Sequence, residues 1–500
     1  MEAYFLVGIF LVSIVFRTSY RIIAPHEEKN FDTYFHLYLI EFIRRNGTKE
    51  LIDKKRFIKP ASLNYPWLVH LLLSKTPKEF ENLIEKFLNA ILDSFFALGL
   101  AVFAYYQTTS VGVASIVGVL YIFLPITFSI KSTGPRIATF TPRVIGEISG
   151  NIIFILEYLY IVNGNFNYYI LAAFLSTFVF MSSKFSSQAL FLINVFLSFY
   201  TWQFELLLLF FIGMAGAIII SKGRYLSIIR QHYRHLKWYF FLNLKNKMPS
   251  SDRNNIKVLI NYIRDFNIKK LYYYLIYENT FSILVIKYPI ILIVIYLIYT
   301  DGILINKYFT IFLLSFVSVF VLISFKFFAF IGEAERYMNY SFYFFLLPIS
   351  EYCVDNYFIV SLLIIYGLIF YGLDLKELYK KKQYLFNRDD NLINWLKTQP
   401  NTLNVATIPF HLGKGRRIPL ETKHNWFYPV AWRDQKDKDI ANSFISKYPF
   451  LDLYKIDDFK IEYNIDYVFI NKNQIINEGI DAEYLEKITR FEIDGGILVC

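Results

Sequence analysis

The sequence predicts an α-helical, polytopic membrane protein with about eleven transmembrane helices and a small C-terminal soluble α/β domain. Three observations lead to this reading. First, 55% of the 500 residues are hydrophobic and 20% are aromatic, with a mean hydropathy of +0.37, well above what the core of a soluble protein of this size needs. Second, apolar runs approaching the length of a membrane crossing recur from the N-terminus to residue 374. Third, beyond residue 376 the apolar runs shorten and alternate with charged stretches of helix and strand periodicity.

Charge and cysteine content narrow the function classes. The 52 Lys and Arg against 41 Asp and Glu give a net charge of +11. In a chain this rich in apolar runs, the partners expected for that charge are anionic lipid headgroups and phosphates, with no nucleic acid among them. Cys353 and Cys500 lie too far apart in sequence to suggest a disulfide framework or a cysteine-based metal site.

The first run, AYFLVGIFLVSIVF at 3–16, has no basic start before it and no small-residue cleavage site after it; Arg17 and Arg21 follow directly. An uncleaved first span is expected. Further runs fall at 86–106, 111–130, 145–163, 168–182, 187–201, 204–220, 281–299, 308–328, 338–350 and 356–374. Residues 1–375 are thus expected to form the membrane domain, interrupted by a first loop at 17–85 and a basic loop at 221–280. With this span count both loops and the tail, 376–500, lie on one side. KGRYLSIIRQHYRHLKWYF in the second loop has the composition of an amphipathic helix in the headgroup layer. In the tail, NLINWLKTQ and ANSFISKY suit helices, while VATIPF and DYVFIN suit buried strands. The opposite-side loops 107–110, 164–167 and 300–307 carry almost no Lys or Arg, so the positive-inside rule alone would put the long loops in the cytoplasm. That rule weakens for long loops and misleads where basic residues serve to bind a phosphorylated substrate.

The first loop contains FDTYFHLYLIEFIRRNG at 31–47, a helical pattern that stops at Asn46-Gly47, with Asp32 near its start and His36 four residues on, on the same face. Taken alone, Asp32 is explained as a residue at a helix N-terminus and His36 as a packed histidine. The loop closes with ASLNYPWLVHLLLS, which carries Tyr65, Pro66 and His70. Three further segments put cations at predicted span ends: KSTGPRIATFTPRVIGE with Lys131, Arg136 and Arg143; SSKFSSQ with Lys184; and GEAERYMNY with Glu333, Glu335, Arg336 and Tyr337. Each also has a plain explanation, because Lys and Arg at span ends snorkel, Pro ends helices, and Glu335-Arg336 can be a surface pair.

Together these segments resemble the GT-C superfamily, the multi-spanning glycosyltransferases that use polyprenyl-phosphate or polyprenyl-diphosphate sugars. FDTYFH is similar to the D-x-x-x-H form of that superfamily's first external loop, and YPWLVH to the Y-P-x-x-x-H stretch that closes it. TPR, the lysine of SSKFSSQ and ERY resemble its phosphate-contacting segments. The resemblance covers roughly residues 1–340 in order. It implies an active site facing outward, with Asp32 as catalytic base, a donor phosphate held by Arg143, Lys184 and Arg336, and His36, Tyr65, His70, Arg136, Glu335 and Tyr337 lining the substrate site. The implied partners are a polyprenyl-linked sugar donor, membrane lipids, and a glycan, lipid or protein acceptor. The chemistry agrees: inverting transfer needs a base for the acceptor hydroxyl, and the leaving phosphate needs positive charge and N–H donors.

The sequence also departs from the oligosaccharyltransferase branch. Its stretch 131–147 contains no Asp, only Glu147, where those enzymes carry an acidic metal-binding motif, and no W-W-D-type acceptor motif is present. No cofactor is expected; a divalent metal stays open, since His26-Glu27-Glu28 can supplement Asp32 as ligands, but hard cations want several carboxylate oxygens and this set is unspecific. In the tail, His411, His424 and Trp426 can shape an acceptor site or serve packing, and GKGRR lacks the spacing of a nucleotide loop. The rival reading is a transporter or flippase for a lipid-linked or anionic solute, whose signature would be mid-span ionisable residues and repeated, interrupted helices.

Overall fold

The computed structural model describes residues 2–23, 31–129, 140–245, 247, 254, 256–301, 306–385, 391–410, 413–446, 448, 450–471, 491–493 and 496–499. In chain order the helices begin α1 (Glu2–Ile23), α2 (Phe31–Asn46), α3 (Leu68–Ser74), α4 (Glu81–Thr108), α5 (Val111–Phe123) and α6 (Pro125–Phe128). They continue with α7 (Arg143–Asn163), α8 (Phe166–Ser182), α9 (Lys184–Thr201), α10 (Glu205–Ile220), α11 (Tyr225–Leu244), α12 (Ile256–Arg264) and α13 (Ile268–Tyr273). Next come α14 (Thr280–Lys287), α15 (Ile290–Asp301), α16 (Lys307–Ser324), α17 (Phe342–Cys353) and α18 (Tyr357–Leu385). The tail adds α19 (Asn391–Thr398), α20 (Gly413–Glu421), α21 (Gln435–Phe444) and α22 (Ile456–Tyr463).

This is a multi-pass helical membrane protein, in which the expected count of about eleven spans is not clearly given by the described residues. Among the described residues four helices, Lys78–Thr108, Arg143–Asn163, Lys307–Ser324 and Tyr357–Lys376, are long and apolar enough to cross a membrane, or five if α14 and α15 count as one broken span. Five shorter apolar helices accompany them. Hydropathy registers apolar runs but not the breaks inside them. The run at 111–130 stops at Leu124 and restarts at Pro125, and the run at 281–299 breaks before Pro289 with a bend of 89°. Proline has no N–H to continue a helix and clashes with the preceding turn. At the second break the Tyr366 hydroxyl donates to the Ile286 carbonyl at 2.7 Å, and buried Lys287 donates to Ser129, so polar groups at the interruption are bonded within the protein.

The chain divides into two compact units. The first comprises Met1–Ile23, Lys78–Leu226 and Asp252–Glu377, and the second Ala24–Pro77, Ser227–Ser251 and Leu378–Cys500.

In the first unit the aromatic content becomes core. Phe344 of α17 stacks on Phe312 of α16 at 4.8 Å, and Tyr158 of α7 meets Phe309, Phe312 and Phe344 edge-on. A buried ion pair ties α1 to α4: Arg17 Nε lies 2.8 Å from Asp93 Oδ2, both side chains wholly buried. Arg17 also donates to the carbonyls of Ile122 and Tyr121 and to Thr127, while the Tyr121 hydroxyl donates to Asp93 at 2.7 Å. The sequence reading took Arg17 only as a span-flanking charge. Its burial is tolerated because a carboxylate, carbonyls and a hydroxyl surround it.

In the second unit β1 (Ile52–Asp53) pairs antiparallel with β2 (Ala61–Ser62). The tail forms a five-stranded mixed sheet from β3 (Asn404–Ile408), β4 (Asn425–Trp426), β5 (Tyr467–Asn471), β6 (Phe491–Ile493) and β7 (Gly496–Val499), in the order β4-β3-β5-β7-β6. Strands β4, β3 and β5 run parallel, whereas β7 is antiparallel to both β5 and β6. The expected α/β tail is present, with α21 starting at Gln435, six residues before ANSFISKY, because Asp434 caps its first turn. Backbone hydrogen bonds join the first loop to this sheet, from Trp426 to Arg56, Ile58 to Trp426 and Arg433 to Pro60. Buried Trp238 of α11 donates to Asn442 at 2.7 Å, adding the mid-chain segment to the same unit.

Candidate functional site

In the second unit α2 stops where the sequence indicates. Gly47 takes a φ of +68° and its N–H bonds the Ile43 carbonyl at 2.7 Å, a left-handed cap that glycine adopts without strain. Asp32 occupies the first turn of α2, the position favoured by the helix dipole, and its side chain lies outside the described residues. One turn on, His36 is buried and its Nδ1 lies 3.0 Å from Nε2 of His70, which is wholly buried on α3. The other His70 nitrogen, Nδ1, faces the Pro66 carbonyl at 3.2 Å. That carbonyl can only accept, so His70 carries its proton on Nδ1 and Nε2 accepts from the Nδ1–H of His36. Tyr65 packs edge-on against both rings, at 5.1 and 5.6 Å. The D-x-x-x-H and Y-P-x-x-x-H motifs thus meet in one cluster, with the tautomer of His36 set by its neighbour.

Burial, then the neighbouring His36, hold the His70 imidazole well below its usual range. Because the folded form binds its proton less readily than the unfolded chain, this histidine leaves stability intact above about pH 6.5 and withdraws it as pH falls below that value. Acidification below about pH 6.5 is expected to lower stability by up to roughly 1.4 kcal/mol per pH unit through His70 alone. Thermal unfolding across pH checks this, and His70→Asn should flatten the acid limb.

In the first unit three of the cation-bearing segments meet. Thr141 caps α7 by accepting the Arg143 N–H at 3.3 Å, and Ser183 caps α9 by accepting that of Ser186 at 3.2 Å, so Arg143 and Lys184 are each the first helical residue. The third segment, Ala334–Tyr340, is a 3-10 turn. A side chain at Gly150 would strike the Tyr340 ring at 2.6 Å, and one at Gly146 would strike Ser183 and Ser186, so α7 approaches both neighbours through glycines. The Tyr340 hydroxyl donates to Ser186 at 2.8 Å, and Gln188 donates to the Ile331 carbonyl and the Tyr337 hydroxyl at 2.9 and 3.2 Å.

Each arginine here is held by a carboxylate. Arg143 Nε lies 3.0 Å from Glu147, which is wholly buried, and Arg336 pairs with Glu333. The sequence reading offered Glu335 as the surface partner of Arg336, whereas Glu335 is wholly buried. A 3-10 turn has three residues per turn, so 333 and 336 share an edge and 335 points elsewhere. Arg136, Lys131, His26, Glu27, Glu28 and His411 lie outside the described residues. The two histidines and Tyr65 belong to one unit, and Arg143, Lys184, Glu335, Arg336 and Tyr337 to the other.

Among the described residues no group of three or more His, Cys, Asp and Glu can hold a metal ion, and Glu147, the one carboxylate of the second-loop stretch, engages Arg143.

Sequence reasoning missed α20. Arg416 is buried with its guanidinium 5.5 Å over Phe35 of α2 and 5.3 Å over Tyr428, and it donates to the Tyr428 hydroxyl at 2.9 Å. The adjacent Arg417 pairs with Glu421 and lies over Tyr34. GKGRR is therefore the start of a helix that grips the first loop by cation–π contact. The pairing of Tyr34-Phe35 with Arg416-Arg417 leaves no mark in either stretch read alone. His424 is buried with Nδ1 accepting from Leu403 and Nε2 facing the Leu396 carbonyl, a structural role, and Trp426 stacks on Tyr428 at 4.6 Å.

The fold is similar to that of a solved membrane oligosaccharyltransferase. It matches the Archaeoglobus fulgidus oligosaccharyltransferase in its apo form with a TM-score of 0.54 and 12% identity, over 93% of this chain and 69% of that one. The same enzyme in complex with Zn and sulfate, and tethered to an acceptor peptide containing the NVT sequon, matches with TM-scores of 0.50 and 12% identity, over 93% of this chain and 68% and 69% of those. At this identity the likeness establishes the fold. No protein-family model and no curated protein matches the sequence.

Proposed function

We propose that the protein is an integral-membrane glycosyltransferase that moves a sugar from a polyprenyl-phosphate or polyprenyl-diphosphate carrier to a hydroxyl of an extracytoplasmic lipid, glycan or protein acceptor. The observation that carries this reading is the meeting of the starts of α7 and α9 with the Ala334–Tyr340 turn, which gathers Arg143, Lys184 and Arg336 into one region of a GT-C fold. Held by caps, close-packed glycines and carboxylates, these cations need little reorganisation to receive a phosphate. A guanidinium has five N–H donors, so the contact from Arg336 Nε to Glu333 leaves capacity for a phosphate oxygen.

In the proposed reaction the Asp32 carboxylate takes the proton of the acceptor hydroxyl. The oxygen attacks the anomeric carbon from the face opposite the carrier, the bond from that carbon to the phosphate oxygen breaks, and the phosphate leaves on its lipid with the bonding electrons. His36, with its tautomer fixed by His70, lies one turn from Asp32 and orients the acceptor. The basic long loops lie on the outer side under this reading, where they serve phosphate.

Arg336→Gln is expected to weaken donor binding about 10- to 100-fold, the loss of one charge-assisted contact. Titration of a fluorescent polyprenyl-phosphate sugar against the purified protein checks it, and unchanged affinity would remove Arg336 from the phosphate site. One observation favours the rival flippase: the break between α14 and α15 places buried Lys287 at an interrupted helix. Among the described residues this is the one sharply bent pair, at 89°, without the repeated counterpart that transporter halves carry.

A further inference from the structure

We infer that α12, α13 and the turn between them form an anionic-lipid-binding wedge that lies in the membrane surface. The segment is tied at its root to the ends of two apolar helices. Asn254 donates to the carbonyl of Ser324, the last residue of α16, at 2.9 Å, and accepts the N–H of Thr280, the first residue of α14, at 2.7 Å. Its own N–H bonds the Glu278 carbonyl at 3.2 Å. Everything from 256 to 278 is thus an excursion that leaves and rejoins the protein where α14 and α16 end, at headgroup level if those helices cross the bilayer.

The excursion turns its apolar side chains outward. Phe266 at the tip is 88% exposed and Ile268 76%, with Ile260, Ile263 and Tyr272 more than half exposed. Phe266 also has a φ of +47°, a left-handed conformation that a bulky residue rarely takes. The turn is nevertheless well bonded, with Phe266 N–H to Ile263 and Asn267 N–H to Tyr262, and the Asn267 side chain caps α13. A backbone that holds a phenylalanine outward in a disfavoured conformation, between two helices that also expose isoleucines, points to a function for the exposure.

Charge selects the occupant. Arg264, Lys269 and Lys270 flank the apolar tip and are exposed, against Asp265 alone at the turn. Cations ringing an apolar wedge suit a leaflet with anionic headgroups, the apolar tip entering the acyl boundary and the lysines meeting phosphate above it. The basic stretch 221–280, expected in the headgroup layer, includes α12 and α13. Trp238 of α11 is buried and bonded to Asn442, whereas Phe266 and Ile268, at the turn from α12 into α13, are the more exposed apolar side chains of this stretch.

A nitroxide attached at Phe266→Cys, in full-length protein with Cys353→Ala and Cys500→Ser, reports the depth in nanodiscs of phosphatidylcholine with or without phosphatidylglycerol. The expected result is collision with oxygen exceeding collision with an aqueous nickel chelate, more so with phosphatidylglycerol. Lys269→Glu with Lys270→Glu should reduce the immersed fraction, by about fivefold for each lysine. A label at Ile268→Cys repeats the measurement if the first variant folds poorly. Dominant collision with the nickel chelate in both lipids would overturn the proposal, as would a label shielded from both reagents, which would mean that a protein or a second copy covers the face. Immersion indifferent to phosphatidylglycerol and to lysine reversal would overturn the anionic selectivity.

Discussion

Replacing Asp32 by Asn is expected to reduce the turnover of sugar transfer by about 10²- to 10⁴-fold, the range that a positioned general base contributes. Asparagine keeps the size of the side chain and its capacity to accept a hydrogen bond but cannot take the acceptor proton at neutral pH. The substitution also separates the two explanations of this residue. Asn serves the N-terminus of a helix about as well as Asp, so α2 should persist and the melting temperature should stay near the wild-type value. Donor affinity should be unchanged, because the phosphate is assigned to Arg143, Lys184 and Arg336. Single-turnover kinetics with donor titration provide both numbers, and an Asn variant that transfers sugar normally would remove Asp32 from the role of base.

Asp93→Ala is expected to cost about 3–5 kcal/mol of stability, the consequence of leaving Arg17 charged and buried without its carboxylate. The same change removes the acceptor of the Tyr121 hydroxyl, which couples α5 to the pair. Arg17→Met combined with Asp93→Leu should recover much of the loss, since an apolar pair of similar volume incurs no desolvation penalty. Thermal unfolding in a mild detergent distinguishes the two outcomes. A single variant as stable as wild type would mean that solvent reaches the pair and that burial at this site is overstated.

The parts of the fold visible in the sequence are those determined locally. Asn46-Gly47 ends α2 because only a left-handed residue continues the chain there, and VATIPF and DYVFIN become β3 and β5 because short apolar runs need a sheet to pair their backbones. Arg143 and Lys184 stand just ahead of the apolar runs at 145–163 and 187–201, where hydropathy alone puts a span end, and α7 and α9 begin at them. The breaks at Pro125 and Pro289 inside two apolar runs were not visible, since average hydropathy does not see a missing N–H. Arg336 pairs with Glu333 and not with the adjacent Glu335, because residues three apart share an edge of a helical turn and neighbours in sequence do not. The contact of Arg416 with Phe35 and that of His36 with His70 join stretches far apart in sequence, and no periodicity within either stretch encodes them.

The central claim is that a sugar leaves its lipid carrier on this protein. The most direct measurement reconstitutes purified protein in liposomes with a panel of polyprenyl-phosphate and polyprenyl-diphosphate donors carrying labelled sugar, and follows in one experiment both release of the sugar from its carrier and passage of the intact lipid across the bilayer. The account predicts release by the wild-type protein, lost in Asp32→Asn, with no accompanying passage of the carrier. Intact labelled lipid crossing equally in both proteins, with no sugar released from any donor, would contradict it and establish the flippase instead.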